Sequence, residues 1–397
     1  MEPRRSAPPA FLEMGFRPFF FAATLGGIGL ILLWGYEYGF AGRTPPTSLH
    51  PVVWHGHEML MGYTAAVVAG FLLTAVTNWT GRPTLTGPLL GVLAALWVFA
   101  RLAVFLPYEA QWLAFALETA FFLGLSLALF RPVVAARRWG DMEVLAKVPT
   151  LWVAGMLVHL GVAGILSDGI RWGLYTALYT VVGLIMVIGR RVIPFFVERG
   201  TGGRLRYRPS RRQEVLGLGA FLAFWILDAF TTQRLLVALT AGILLVLHGI
   251  RLYAWHQRTL WRRPMVWVLY LGYAWIVLAF ALKVLGYRWA QADALALHAF
   301  AYGGIGLLTA GMMVRVTLGH TGRNPNAPPR GVVWIFLPLA VGAAVRVLLP
   351  LIAPGHYGLW VMLSAGLWLL GLLVLAAICV PMWLRPGLQP RGIPLRQ

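Results

Sequence analysis

The chain has 397 residues, of which 59% are hydrophobic and only 12% are charged, and its mean hydropathy is +0.74. Soluble domains carry roughly 25% charged residues, so this composition excludes an ordinary soluble protein and indicates a polytopic membrane protein. The net charge of +20 does not indicate nucleic-acid binding, because the basic residues fall in loops between apolar segments. The single cysteine, Cys379, excludes an internal disulfide, so a metal site must use histidine, methionine or carboxylate ligands.

Twelve apolar segments follow one another along the chain, each about as long as a membrane-spanning helix. They cover residues 18–39, 54–77, 86–106, 111–131, 148–167, 172–197, 213–230, 234–255, 265–286, 295–318, 332–352 and 358–383. No soluble domain interrupts them. We therefore predict an all-α polytopic membrane protein, in which residues 1–397 form a single integral membrane domain of twelve transmembrane helices.

The loops predict the orientation of these helices. Most basic residues lie in the termini and the even-numbered loops, whereas the odd-numbered loops hold only Arg43, Arg171, Arg234 and Arg288. Because cytoplasmic loops are enriched in arginine and lysine, both termini are predicted to be cytoplasmic. This orientation places three histidines at the outer ends of helices 2 and 10 and one near the middle of helix 5: His55, His57, His298 and His159.

Helices 2 and 3 resemble helices 10 and 11, which predicts an internal repeat. His57 precedes the turn Thr80-Gly81-Arg82 by 23 residues, and His298 precedes Thr321-Gly322-Arg323 by the same 23. Arg101 in helix 3 corresponds to Arg346 in helix 11 once a short insertion is allowed. Functional sites of repeated membrane folds often lie at the interface between the repeats.

The repeat predicts a haem site. If the two hairpins pack face to face, His57 and His298 meet as the two axial ligands of one haem iron, for which imidazole is a normal ligand. Arg101 and Arg346 would then bind the haem propionates through planar, bidentate contacts. The alternative for these arginines is that they extend to the outer membrane interface.

The motif His55-Gly56-His57-Glu58-Met59 also suggests a metal site. Two histidines two residues apart point about 200° apart on a helix and cannot share one ion there. Either the backbone is non-helical, or the two histidines serve different partners. Imidazole with the thioether of Met59 suits copper, and Glu58 could bind metal or hold a ligand histidine. The alternatives are a hydrogen-bonded pair at the interface and, for His159, a bond to a neighbouring helix. The candidate metal ligands are His55, His57, Glu58, Met59, His159 and His298.

Several motifs together resemble the NnrS family from helix 1 to helix 12. They are Gly15-Phe16-Arg17-Pro18-Phe19-Phe20, Trp54-His55-Gly56-His57-Glu58-Met59, Asn78-Trp79-Thr80-Gly81-Arg82-Pro83, the run from Arg191 to Phe196, and Leu318-Gly319-His320-Thr321-Gly322-Arg323. The resemblance implies a multi-pass protein of the bacterial inner membrane that binds haem, expected to be of the b type, and copper. It also implies a role in nitric oxide stress and denitrification.

The leading hypothesis is a haem-binding and copper-binding protein that limits nitric oxide toxicity by interception, redox conversion or protection of cellular metal. Its expected partners are the lipid bilayer, nitric oxide or a related small molecule, and a membrane electron donor, without nucleic acid. No classical catalytic motif is present, so enzymatic activity is left open. One rival is a secondary transporter of a small solute or metal, with the histidines lining a translocation site. The other is a metal or haem insertion factor.

Overall fold

The computed structural model describes residues 9–39, 49–203, 205 and 210–388, and this part of the chain contains helices and no strands. The predicted all-α fold is therefore confirmed. The principal helices are α1 (Phe16–Gly39), α2 (Pro51–Thr80), α3 (Gly87–Ala103), α4 (Gln111–Ala135), α5 (Lys147–Val162), α6 (Gly169–Thr201), α7 (Arg211–Phe230), α8 (Arg234–Trp255), α9 (Pro264–Leu285), α10 (Ala290–His320), α11 (Val333–Val347) and α12 (Tyr357–Leu384). Arg43, one of the basic residues in the odd-numbered loops, lies outside the described residues.

Short helical turns join or extend these helices at Ala10–Leu12, Tyr108–Ala110, Trp139–Asp141, Met142–Leu145, Arg258–Arg262, Arg330–Val332, Leu349–Ile352 and Pro354–His356. Together with the adjoining turns, α5 and α11 form the longer stretches Trp139–Val162 and Arg330–Ile352. Counted in this way, eleven helical stretches of the described residues are long and apolar enough to cross a membrane, and α3, with 17 residues, is a shorter twelfth. At 1.5 Å per residue, α3 is about 25 Å long, which is close to the thickness of the hydrocarbon core. Each of the twelve predicted segments thus corresponds to one helix.

Helices α2 and α10 lie at the centre of the bundle. In the most apolar 18-residue stretch of each helix, 83% of the α2 residues and 78% of the α10 residues are buried, compared with 33% in α7 and in α8. The outer helices expose leucine and valine side chains, as a lipid-facing surface requires. Polar side chains on α2 and α10 must therefore find their partners inside the protein, because lipid offers none.

The correspondence between α2 and α10 extends to the backbone. A π-helical segment follows His57 at Glu58–Thr64, and another follows His298 at Ala299–Gly306. A glycine with a left-handed conformation also follows each helix: Gly81, with φ of 65°, comes directly after α2, and Gly322, with φ of 74°, comes two residues after α10. Single π-helical turns are rare and are frequently found at functional sites. The two interrupted helices therefore mark the part of the bundle where a site is expected.

Candidate cofactor and metal sites

The two histidines of the His-Gly-His motif face opposite sides of α2. The backbone of Pro51–His57 is α-helical, so the side chains of His55 and His57 point about 200° apart. Of the two alternatives that the sequence leaves open, this backbone fits the one in which each histidine has its own partners.

A cavity of about 250 Å³ lies on the His55 side of α2. Side chains from α1, α2, α6, α10, α11 and α12 line it, and most of them are apolar or aromatic. His55, Met59, His298 and Arg346 are among the lining residues. The ring of His55 stacks on Trp34 with a centroid distance of 4.3 Å and an interplanar angle of 25°, which fixes its orientation.

Arg346 gives this cavity a cationic group with unused hydrogen-bonding capacity. Its Nη2 atom donates to the Nε2 atom of His298 at 3.2 Å and to the hydroxyl of Tyr357 at 3.0 Å. The Nη1 atom is buried and has no hydrogen-bond partner among the described residues. Buried donors are normally paired, and a guanidinium is suited to a carboxylate. The residues therefore fit a flat apolar cofactor that carries carboxylates, with imidazole available from both α2 and α10.

A second group of polar side chains occupies the opposite side of α2. It consists of His57 and Glu58 from α2, Arg101 from α3, Glu118 from α4 and His159 from α5, and we call it the polar cluster. The relative exposure is 1% for His57, 1% for Glu58 and 3% for Glu118, and the side chains of Arg101 and His159 are 11% and 14% exposed. Such burial of charged groups is tolerated only because they pair with one another.

The polar cluster is held together by one arginine and two carboxylates. Arg101 donates from Nη1 to Oε1 of Glu58 at 2.9 Å and from Nη2 to Glu118. The same Oε1 atom of Glu58 lies 2.9 Å from Nδ1 of His57. The Nε2 atom of His57 lies 3.4 Å from Oε2 of Glu118, and Nε2 of His159 lies 3.8 Å from Oε1 of Glu118.

The structure distributes the residues predicted from the sequence between these two places. His55, Met59, His298 and Arg346 face the cavity, whereas His57, Glu58, Arg101 and His159 belong to the polar cluster. His57 is not among the residues that line the cavity, because the turn of α2 directs it away from His55. The side chains of His57 and His298, predicted as one axial pair, are therefore not brought together, and Arg101 already has two anionic partners.

Glu118 completes the polar cluster. The sequence makes it a candidate for proton relay or for pairing within the bundle, but not one of the predicted metal ligands. It is the only acidic residue in α4, which is otherwise mostly apolar. An ionisable residue within an apolar helix is itself a signal, because lipid would destabilise its charge. The sequence spacing alone cannot show that this carboxylate faces His57 and His159, since the three residues lie on three different helices.

A further buried ion cluster is fully paired. Lys283 Nζ lies 2.8 Å from Oδ2 of Asp228 and 2.9 Å from Oδ1 of Asp293, and Tyr179 donates to Asp228. These bonds connect α6, α7, α9 and α10. The cluster therefore links helices within the bundle.

The fold and its two sites define a polytopic α-helical membrane protein with a histidine-lined cavity and a buried cluster able to hold a metal ion. A family model described as NnrS protein matches residues 10–386, nearly the whole chain, and the chain belongs to this NnrS family. A search of curated proteins finds no match. Membership supports a role in the response to nitric oxide, and the family is known for haem and metal binding in general.

Proposed function

We propose that this chain is a haem-binding and copper-binding protein of the bacterial inner membrane that acts in the nitric oxide response linked to denitrification. The observation that carries the proposal is the cavity in which His55, His298 and the incompletely paired Arg346 face one apolar space. Haem is an apolar disc with two carboxylates and an iron that accepts imidazole, so its chemistry matches these groups.

In this proposal, His55 and His298 hold the haem iron from α2 and α10, and Arg346 binds a propionate. This replaces the axial pair His57 and His298 that the sequence predicts. In the structure, Nε2 of His298 accepts a hydrogen bond from Arg346, so ligation through that nitrogen would free the guanidinium for a propionate. A chain with one cysteine lacks the pair of thiols that c-type attachment uses, which supports the b type.

Haem iron and copper both bind nitric oxide, and this supplies the chemistry for interception or redox conversion. The chain contributes an apolar and aromatic wall that admits a small neutral molecule and limits water. Ligation by two histidines favours electron transfer or sensing, with a membrane electron donor as partner, unless one histidine dissociates. Protection of cellular metal is the third form that this role can take.

The test is the optical spectrum and the haem content of the purified protein with and without the cavity histidines. The wild type is expected to show a Soret band that shifts on addition of nitric oxide. His55→Ala and His298→Ala are expected to lower haem occupancy at least tenfold. His356→Ala is the matched control, because His356 is exposed in the short turn before α12.

Full haem content in both cavity variants would overturn the ligand assignment. A wild-type protein without haem or metal, even after reconstitution, would favour the transporter alternative.

We further propose that both termini are cytoplasmic, which the excess of basic residues in the even-numbered loops supports. Arg288 and Arg262 are both exposed, and they lie in loops predicted on opposite sides of the membrane. A cysteine at position 288 is expected to react with a membrane-impermeant maleimide added from outside, and a cysteine at position 262 is not. The native Cys379 is buried and gives little background. The reverse labelling pattern would invert the topology.

A further inference from the structure

The three candidate ligands of the polar cluster are spaced like the donors around a metal ion. One ligand atom from each of His57, Glu118 and His159 lies within 4.8 Å of the other two. Donors around a four-coordinate ion with bonds of about 2.1 Å are about 3.4 Å apart. The Nε2 atom of His57 lies 3.4 Å and that of His159 lies 3.8 Å from Glu118 oxygens, so only small shifts separate these positions from a coordination shell.

The imidazole nitrogens that face this position lie 3.4 Å and 3.8 Å from the Glu118 carboxylate but form no hydrogen bond among the described residues. Nε2 of His57 and Nε2 of His159 are buried and have no hydrogen-bond partner among the described residues. An unpaired buried polar atom destabilises a protein, and such atoms call for a ligand, an ion or a water molecule. Because His57 is 1% exposed, bulk water does not satisfy its nitrogen.

Glu58 holds His57 in the orientation that a ligand needs. Its Oε1 atom lies 2.9 Å from Nδ1 of His57, so a neutral ring with its proton on Nδ1 leaves the lone pair of Nε2 for a metal ion. Histidines that bind metals almost always donate their other N–H to a carboxylate, a carbonyl or water, and loss of that partner typically weakens metal binding. Glu58 is thus a positioning residue for His57.

The charges of the polar cluster also favour a cation. Arg101 contributes one positive charge against the two carboxylates of Glu58 and Glu118. Histidines bind metal in the neutral form, and with neutral imidazoles the net charge of the polar cluster is −1. A single bound cation removes this buried excess. Two imidazoles and one carboxylate, without a thiolate, are ligands suited to copper, zinc or iron(II), and affinity for such ligands peaks at Cu²⁺.

We propose that His57, Glu118 and His159 bind one first-row transition metal ion, with copper bound most tightly. Glu58 orients His57, and Arg101 balances part of the negative charge of the two carboxylates. The site is separate from the haem cavity, because the motif His55-Gly56-His57 supplies one histidine to each side of α2. This assignment rests on the proposed function, because it gives the position of the copper ion that the proposed function includes. Metal binding at this site does not require haem.

Gly155 offers a way to disturb the site without removing a ligand. A Cβ atom at Gly155 would lie 2.3 Å from Oε1 of Glu118, so Gly155→Ala must displace that carboxylate. Gly29 in α1 is the matched control, because a Cβ atom there would meet nothing within 4 Å. Both changes add one methyl group to a membrane helix, and only the first reaches the proposed ion position.

The experiment titrates full-length, chelator-treated protein with Cu²⁺ alone and with Co²⁺ alone, and follows metal content and the d–d absorption of cobalt. The wild type is expected to bind one equivalent. His57→Ala, His159→Ala and Glu118→Gln are expected to weaken binding at least a hundredfold, and Glu58→Gln and Gly155→Ala at least tenfold. Gly29→Ala is expected to match the wild type.

Folding is checked for every variant by gel filtration and haem content. If a ligand variant fails to fold, Gly155→Ala and Glu58→Gln decide the result. Unchanged metal affinity in the folded variants would overturn the proposal while leaving the haem function intact. Loss of haem from His298→Ala with metal binding retained would support the separation of the two sites. A wild type that binds metal but never haem would remove the proposed function and leave this site standing.

Discussion

Arg101 is the residue whose removal distinguishes a metal site from a purely structural ion network. Its guanidinium is bonded to Glu58 and Glu118, which are 1% and 3% exposed. Arg101→Gln would leave both carboxylates buried without a cation. Removing one partner from a buried ion pair typically lowers the free energy of unfolding by about 3–5 kcal/mol, and we expect this loss in the metal-free variant.

The same substitution should strengthen metal binding, because the net charge of the polar cluster becomes more negative. A ligand present at a hundred times its dissociation constant raises the free energy of unfolding by about 2.7 kcal/mol. Saturating Cu²⁺ should therefore restore most of the stability that Arg101→Gln removes. If the polar cluster were a structural ion network that binds no metal, Arg101→Gln would lower the free energy of unfolding and Cu²⁺ would not restore it.

The assay is unfolding of the purified protein in mixed micelles of increasing SDS fraction, with and without Cu²⁺. Arg138→Gln is the control, because the side chain of Arg138 is 51% exposed and pairs with Asp141 in a neighbouring turn. Its effect should be less than about 1 kcal/mol and independent of metal. An Arg101→Gln protein as stable as the wild type, or one that copper does not stabilise, would refute the reasoning.

Three further predictions concern packing and the cavity. Lys283→Met should lower the free energy of unfolding by about 3–5 kcal/mol, because it leaves Asp228 without a cation and only with its hydrogen bond from Tyr179. Asp293→Asn changes a side chain that is 43% exposed, so it should cost less than about 1 kcal/mol in the same assay. Arg346→Gln should weaken haem binding about ten- to a hundredfold in a haem titration, because a hydrogen bond to a charged group contributes roughly 1.5–3 kcal/mol. Unchanged haem affinity would exclude a contact between Arg346 and a propionate. Gly81→Ala should lower the free energy of unfolding by about 1–2 kcal/mol, because Gly81 has a left-handed backbone conformation. Gly322→Ala should lower it further, because the added Cβ atom would lie 2.3 Å from the carbonyl oxygen of Leu388. Equal losses in the two variants would contradict this reasoning.

The sequence predicts the helices of this protein well, because each apolar segment carries its own length and hydropathy. It also predicts the correspondence of α2 with α10, since His57 and His298 occupy equivalent positions. The structure adds to this correspondence a π-helical segment after each histidine. The spacing within His55-Gly56-His57 already indicates that the two histidine side chains point to opposite sides if this segment is helical. These features are local, so the sequence contains them.

The pairing of these side chains across helices is not local, and here the prediction and the structure differ. Equivalent positions in a repeat need not meet: Arg346 contacts His298, but Arg101 contacts Glu58 and Glu118. Which face of α2 meets α10 and which meets α4 and α5 depends on the packing of the whole bundle. Glu118 therefore emerges as a candidate ligand only from the structure.

The most direct measurement of the central claim compares the haem and the copper content of two variants, His55→Ala and His57→Ala, purified in parallel. If His55 binds haem and His57 binds copper, the two variants lose different cofactors. His55→Ala is expected to lose haem and keep copper, and His57→Ala is expected to lose copper and keep haem. If both variants lose the same cofactor, or if His57→Ala loses haem and His55→Ala loses neither, the division of α2 into two separate sites is contradicted.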